Sequence, residues 1–173
     1  MVNWEKLETD VGEWSNDNFG DQPAVNPFIG SGEEFGELVE ELYSDNISEE
    51  EVKDAVGDIL VFLADYCYRY GISYSGAAGR MDETELYTGC NTIEELCVEM
   101  SISRGNQAYS YLKQDQGIRE ERDGVGSVAD EKSLAHTLLA LHTFSESYGF
   151  TIEEAIDTAV SEALERDWDS TYN

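Results

Sequence analysis

Two acidic runs carry the residues with the greatest capacity for chemistry. The first reads Glu33-Glu34-Phe35-Gly36-Glu37-Leu38-Val39-Glu40-Glu41-Leu42, and the second Glu51-Val52-Lys53-Asp54-Ala55-Val56-Gly57-Asp58-Ile59-Leu60. At roughly 100° per residue, Phe35, Leu38, Val39 and Leu42 form one apolar stripe. Glu34, Glu37 and Glu41 then lie along its flank, with Glu33 and Glu40 directed away. Val52, Val56, Ile59 and Leu63 form a second stripe, flanked by Glu51, Asp54, Asp58 and Asp65. Packing the helices stripe to stripe brings their acidic flanks together at the edge of the core. Converging carboxylates repel one another unless a cation neutralises them. Oxygen-only donors select a hard ion, Mg²⁺ or alternatively Mn²⁺.

The helices that must position these acids are marked by their starts. Four Ser/Thr-x-x-Glu capping boxes occur: Ser31 with Glu34, Ser48 with Glu51, Thr92 with Glu95, and Thr151 with Glu154. The pattern predicts helices over about Val2–Asn16, Gly32–Ser44, Glu49–Tyr70, Tyr74–Gly79, Ile93–Gln114, Asp130–Tyr148 and Ile152–Asp167. Loops are expected over Phe19–Gly30 and Asp115–Ala129. No segment alternates at period two, so the expected fold is all-α, a helical bundle. Leu60, Leu63, Tyr70, Gly71, Ser73 and Ala77 align with Leu138, Leu141, Tyr148, Gly149, Thr151 and Ala155. This internal repeat divides the chain into two pseudo-equivalent halves, residues 1–80 with the acids and residues 81–173 without them. Lys132, Ser133 and His136 stand in the second half where the first has Asp54, Ala55 and Asp58.

Composition narrows the partners. The chain has 38 Asp+Glu against 10 Lys+Arg, a net charge of −28 over 173 residues. Such a surface repels nucleic acid and anionic membranes, and fits a salt-rich, halophilic cytoplasm where charge is screened. The N-terminus shows no signal-peptide pattern, and no apolar run reaches membrane-spanning length. Cys67, Cys90 and Cys97 form no C-x-x-C pair, which argues against a disulfide framework or zinc site. His136 and His142 do not share a helix face and are expected in packing or surface roles.

The run from Glu33 to Leu38, followed by Val56-Gly57-Asp58-Ile59-Leu60, resembles the metal-binding signature of the MazG-like, all-α nucleoside triphosphate pyrophosphohydrolases. Trp14, Phe19-Gly20 and the terminal Glu165-Arg166-Asp167-Trp168 fit the same family. The resemblance covers Trp4 to Ser73 and thins afterwards. It implies Mg²⁺-dependent hydrolysis of (d)NTP to (d)NMP and pyrophosphate, with Glu34, Glu37 and Asp58 as metal ligands and Glu37 or Glu34 handling the water. The family's remaining glutamate falls at Ala55; Asp54, one residue earlier, shares the flank of Asp58 and is the candidate substitute ligand, the alternative being a weakened site. The expected substrate contacts are Lys113 and Arg119 as a phosphate grip and Trp14 stacking on the base, with Phe19 and Phe28 as further stackers. The expected partner is a small nucleotide, with a homodimer left open. A catalytically degenerate nucleotide-binding or helical interaction protein is the alternative, on the strength of Ala55.

Overall fold

The computed structural model describes residues 2–118 and 128–165 of the chain. Among these residues there are seven α-helices, one short 3-10 turn (Met81–Glu83) and no strand. The helices are α1 (Trp4–Phe19), α2 (Val25–Leu42), α3 (Glu49–Tyr70), α4 (Tyr74–Gly79), α5 (Ile93–Asp115), α6 (Val128–Tyr148) and α7 (Ile152–Glu165). No helix is long and apolar enough to cross a membrane among the described residues.

Helix α3 is the centre of the structure. Val52, Val56, Ile59, Leu60, Leu63, Ala64 and Cys67 are fully enclosed along it, each large aliphatic contributing about 1.5–3 kcal/mol by burial. It packs against α2 on one side, α7 on another and α1 on a third. In the second half α6 plays the same part, packing against α5 and against α4. The approach of α3 to α7 is close because Gly57 has no side chain. A Cβ there would lie 2.2 Å from the carbonyl oxygen of Ala155 and 2.8 Å from the Cβ of Ala159.

Three of the four predicted N-caps form. The backbone N–H groups of Glu51, Glu95 and Glu154 donate to the hydroxyls of Ser48, Thr92 and Thr151 at 3.2–3.3 Å. Thr151 N–H in turn donates to Glu154 at 2.8 Å, closing that box in both directions. The fourth does not form. Helix α2 begins at Val25, two turns before Ser31, and Ser31 is buried inside it with its hydroxyl donating to the Phe28 carbonyl at 2.9 Å. Pro27 sits in the first turn, where its missing N–H costs nothing, so the Pro-bearing stretch is helix rather than loop. Helices α3 and α6 end alike. The N–H groups of Gly71 and Ile72 both donate to the Cys67 carbonyl, and those of Gly149 and Phe150 to the Ser145 carbonyl, all at 2.8–3.1 Å. Both glycines take positive φ, 75° and 112°, which closes the helix where an L side chain would be strained.

Candidate functional site

The 43–48 turn joins α2 to α3 and sets the two acidic flanks side by side. Glu34, Glu37, Glu40, Glu41, Glu51, Asp54, Ala55 and Asp58 line one cleft of about 340 Å³. The structure therefore brings together the four acids selected from the sequence, Glu34, Glu37, Asp54 and Asp58, and places Ala55 among them. Two expectations are corrected. Glu40 also lines the cleft, and Glu33 lines the cavity next to it, although a helical wheel directs both away. A wheel gives a side chain's azimuth but not the width of the groove, and this groove extends to the turn itself. There Glu41 accepts the Ser48 N–H at 2.5 Å and braces the connection.

Among the described residues no basic side chain lines the cleft, and the electrostatic consequence falls on Glu34. Burial, then the charges of Asp58, Glu37, Glu33 and Asp54, push its carboxyl from 4.5 up to about 7. The donor set is entirely oxygen, the kind that hard divalent cations take. Among the described residues no group of three or more His, Cys, Asp or Glu side chains is gathered tightly enough to hold an ion. Coordination there needs the rotatable glutamates to turn inward.

A second cavity, about 610 Å³, adjoins the acidic cleft, the two sharing Glu34 and Asp58 in their walls. Its walls include Trp14, Phe19, Gln22, Asn26 and Phe62. Trp14 and Phe19 meet edge to face, ring centroids 5.7 Å apart at 87°. One wall is fixed by a buried network that spacing did not reveal. Ser15 donates to Asp65 Oδ2 at 2.8 Å, and Arg69 Nε donates to Asp65 Oδ1 at 2.8 Å. The remaining Arg69 nitrogens donate to Ser15 Oγ and to the carbonyls of Gly20 and Gln22, at 2.9–3.3 Å. Burial holds the Asp65 carboxyl above its usual range even against the opposing pull of Ser15 and Arg69.

The other sequence candidates lie elsewhere. Phe28 packs on Tyr66 at 5.6 Å beneath the Arg104 guanidinium and lines neither cavity. Lys113 also lines neither; its ammonium lies 5.6 Å over the Tyr109 ring and donates to Gln116 Oε1 at 3.3 Å. Arg119 and the 166–168 segment lie outside the described residues. His136 is buried and faces Glu99 at 2.5 Å, a packing role. Cys67 and Cys90 are buried thiols and Cys97 is half-buried, all three free. Comparison with family models, curated proteins and solved structures gave no match, so the family resemblance stands on the residues quoted for it.

Proposed function

We propose that this protein is a Mg²⁺-dependent nucleoside triphosphate pyrophosphohydrolase, releasing (d)NMP and pyrophosphate. The observation that carries the reading is the adjacency of the two cavities. A carboxylate cleft suited to cations and phosphates shares Glu34 and Asp58 with an aromatic and amide-lined cavity large enough for a nucleoside. Glu34, Glu37, Asp54 and Asp58 are the residues that would hold the metal. When bound, Mg²⁺ neutralises phosphate oxygens and lowers the pKa of a coordinated water. Glu37 or Glu34, both lining the cleft, would orient the attacking water and accept its proton. Trp14 and Phe19 wall the nucleoside side, and the Ser15–Asp65–Arg69 network keeps that wall in place. The deciding experiment supplies a panel of NTPs and dNTPs in molar potassium chloride with Mg²⁺. Pyrophosphate and NMP are assayed separately from orthophosphate. Pyrophosphate release supports the reading; a folded protein that turns over no nucleotide sinks it.

The finer fold reading is ours as well: a MazG-like bundle of two pseudo-equivalent halves. It is supported by the exchange of short helices, α7 onto α3 and α4 onto α6, and by the matching helix ends at Gly71 and Gly149.

A second reading, a nucleotide binder without turnover, is favoured by one observation. Ala55 faces the cleft at the position where the resemblance calls for a glutamate. Ala55→Glu distinguishes the two. A gain of about 100-fold in turnover means an incomplete ligand set; a change under about threefold means Asp54 already supplies the fourth carboxylate.

The raised Glu34 pKa sets a pH dependence with a definite sign. Without metal, the native state holds this proton more tightly than the unfolded chain does. Stability therefore falls as pH rises from 4.5 toward 7, and the loss is complete above 7. Melting temperatures in EDTA should decline across that window. Mg²⁺ should restore more above pH 7 than below 5, and Glu34→Gln should flatten this part of the profile. Equal Mg²⁺ stabilisation at both pH values would show that the cation does not compete with that proton.

A further inference from the structure

We propose that α5 splints the carboxylate-bearing helix α2, with Arg104 as the positioning residue that holds α2 in place against the repulsion within its own cleft. The inference rests on the function proposed above for that cleft. Among the described residues seven carboxylates line it, four from α2 (Glu34, Glu37, Glu40 and Glu41) and three from α3 (Glu51, Asp54 and Asp58). Like charges facing one another across a groove push its walls apart. Asp58 and Asp54 on the α3 wall are among the charges that raise the Glu34 carboxyl on the α2 wall. Behind its own wall α3 is backed by α1 and α7, whereas α2 packs closely on α3 alone among the described helices. The repulsion therefore bears on α2.

Two side-chain ties join α2 to α5, and neither lines the cleft. Before the acidic segment, Arg104 donates to Ser31 Oγ and to the Phe28 carbonyl, both at 2.8 Å, with its guanidinium 4.7 Å over the Phe28 ring. Ser31 donates to that same carbonyl at 2.9 Å, which closes the clamp. Beyond the segment, the Tyr43 hydroxyl donates to Glu94 Oε1 at 3.2 Å. Ser31 and Tyr43 lie about 18 Å apart along α2, and Glu94 and Arg104 about 15 Å apart along α5. The helices thus run antiparallel, with Glu34, Glu37, Glu40 and Glu41 between the two ties. In a chain with 38 acidic residues, both Arg104 bonds go to neutral acceptors, although burial pushes its guanidinium below the ordinary value. Gly32 leaves room for it, since a Cβ there would lie 2.6 Å from one Arg104 nitrogen. A cation placed in the cleft would compete with a metal for the carboxylates. Fixed to the backbone of α2 instead, it holds the helix and leaves the ligands free.

Thermal melts of the full chain in EDTA and molar potassium chloride at pH 8 test this, with circular dichroism confirming the fold of each variant. Arg104→Gln should lower the melting temperature. In the Asp58→Asn background, where one opposing charge has gone, that drop should shrink by at least about half. Arg104→Lys keeps the charge but not the two-pronged bond, and should show the same dependence at smaller amplitude. Equal drops in both backgrounds would make Arg104 an ordinary tertiary contact and overturn the proposal. So would an Arg104→Lys protein that melts like the wild type. Isothermal titration calorimetry with Mg²⁺ alone gives the second readout. Arg104→Gln should weaken binding about tenfold, and binding that is unchanged also overturns the splint. A wild type that takes up no Mg²⁺ sinks the proposed function instead, and the melts still decide the splint.

Discussion

Glu37→Gln and Asp58→Asn should each lower pyrophosphate release at least about 100-fold while leaving the melting temperature of the metal-free protein unchanged or higher. Each exchange is isosteric and removes one formal charge from a cleft that contains no cation of its own. On the proposed mechanism, metal coordination and water activation would lose a carboxylate, which costs orders of magnitude in rate. Either exchange relieves repulsion in the cleft, since Glu37 and Asp58 are among the charges that push the Glu34 carboxyl up. Paired measurement of rate and melting temperature separates a functional carboxylate from a structural one. A variant that loses activity and stability together would mark a packing defect. One that keeps full activity would remove that residue from the site.

The second large effect concerns stability. Gly57→Ala should destabilise by about 3 kcal/mol, lowering the melting temperature by roughly 6–12 °C for a chain of this size. The new Cβ would collide with a backbone carbonyl, that of Ala155, and with the Cβ of Ala159, neither of which can swing aside. Helix α7 must then retreat from α3 as a body. The same exchange at Gly36, also within a helix but with nothing within 4 Å of its Cβ, should raise stability by up to about 1 kcal/mol through helix propensity alone. Opposite signs for one chemical change at two helical glycines isolate the crossing as the cause. Thermal melts of the two variants decide it.

Much of the positioning machinery was legible because it is local. The bounds of α3 and α4 follow from Ser48, Gly71 and Ser73, residues that stop or start a helix by their own chemistry. Glu34, Glu37, Asp54 and Asp58 could be grouped because each lies beside an apolar stripe that must be buried. The start of α2 was hidden because Ala24, its N-cap, offers no side-chain acceptor, while Ser31 offered a false one. The long-range Arg69 and Arg104 ties span 47 to 76 residues and depend on single cations reaching carbonyls and hydroxyls across the core. No periodicity announces such contacts. The polar interior of α5 was equally silent, since beyond Leu96 and Met100 the residues it buries are Glu99, Ser103, Gln107 and Ser110, which no apolar stripe marks.

Helix α3 also acts as a gauge. Asp58 borders the acidic cleft, and Asp65, two turns further along the same rod, borders the aromatic cavity and is locked to Arg69. Seven residues of α-helix separate the two positions by about 10 Å, a length the buried helix has no freedom to change. On the proposed function, a ligand that spans the cleft and the aromatic cavity must match that distance, so the pitch of one helix would be the first filter on what the site takes.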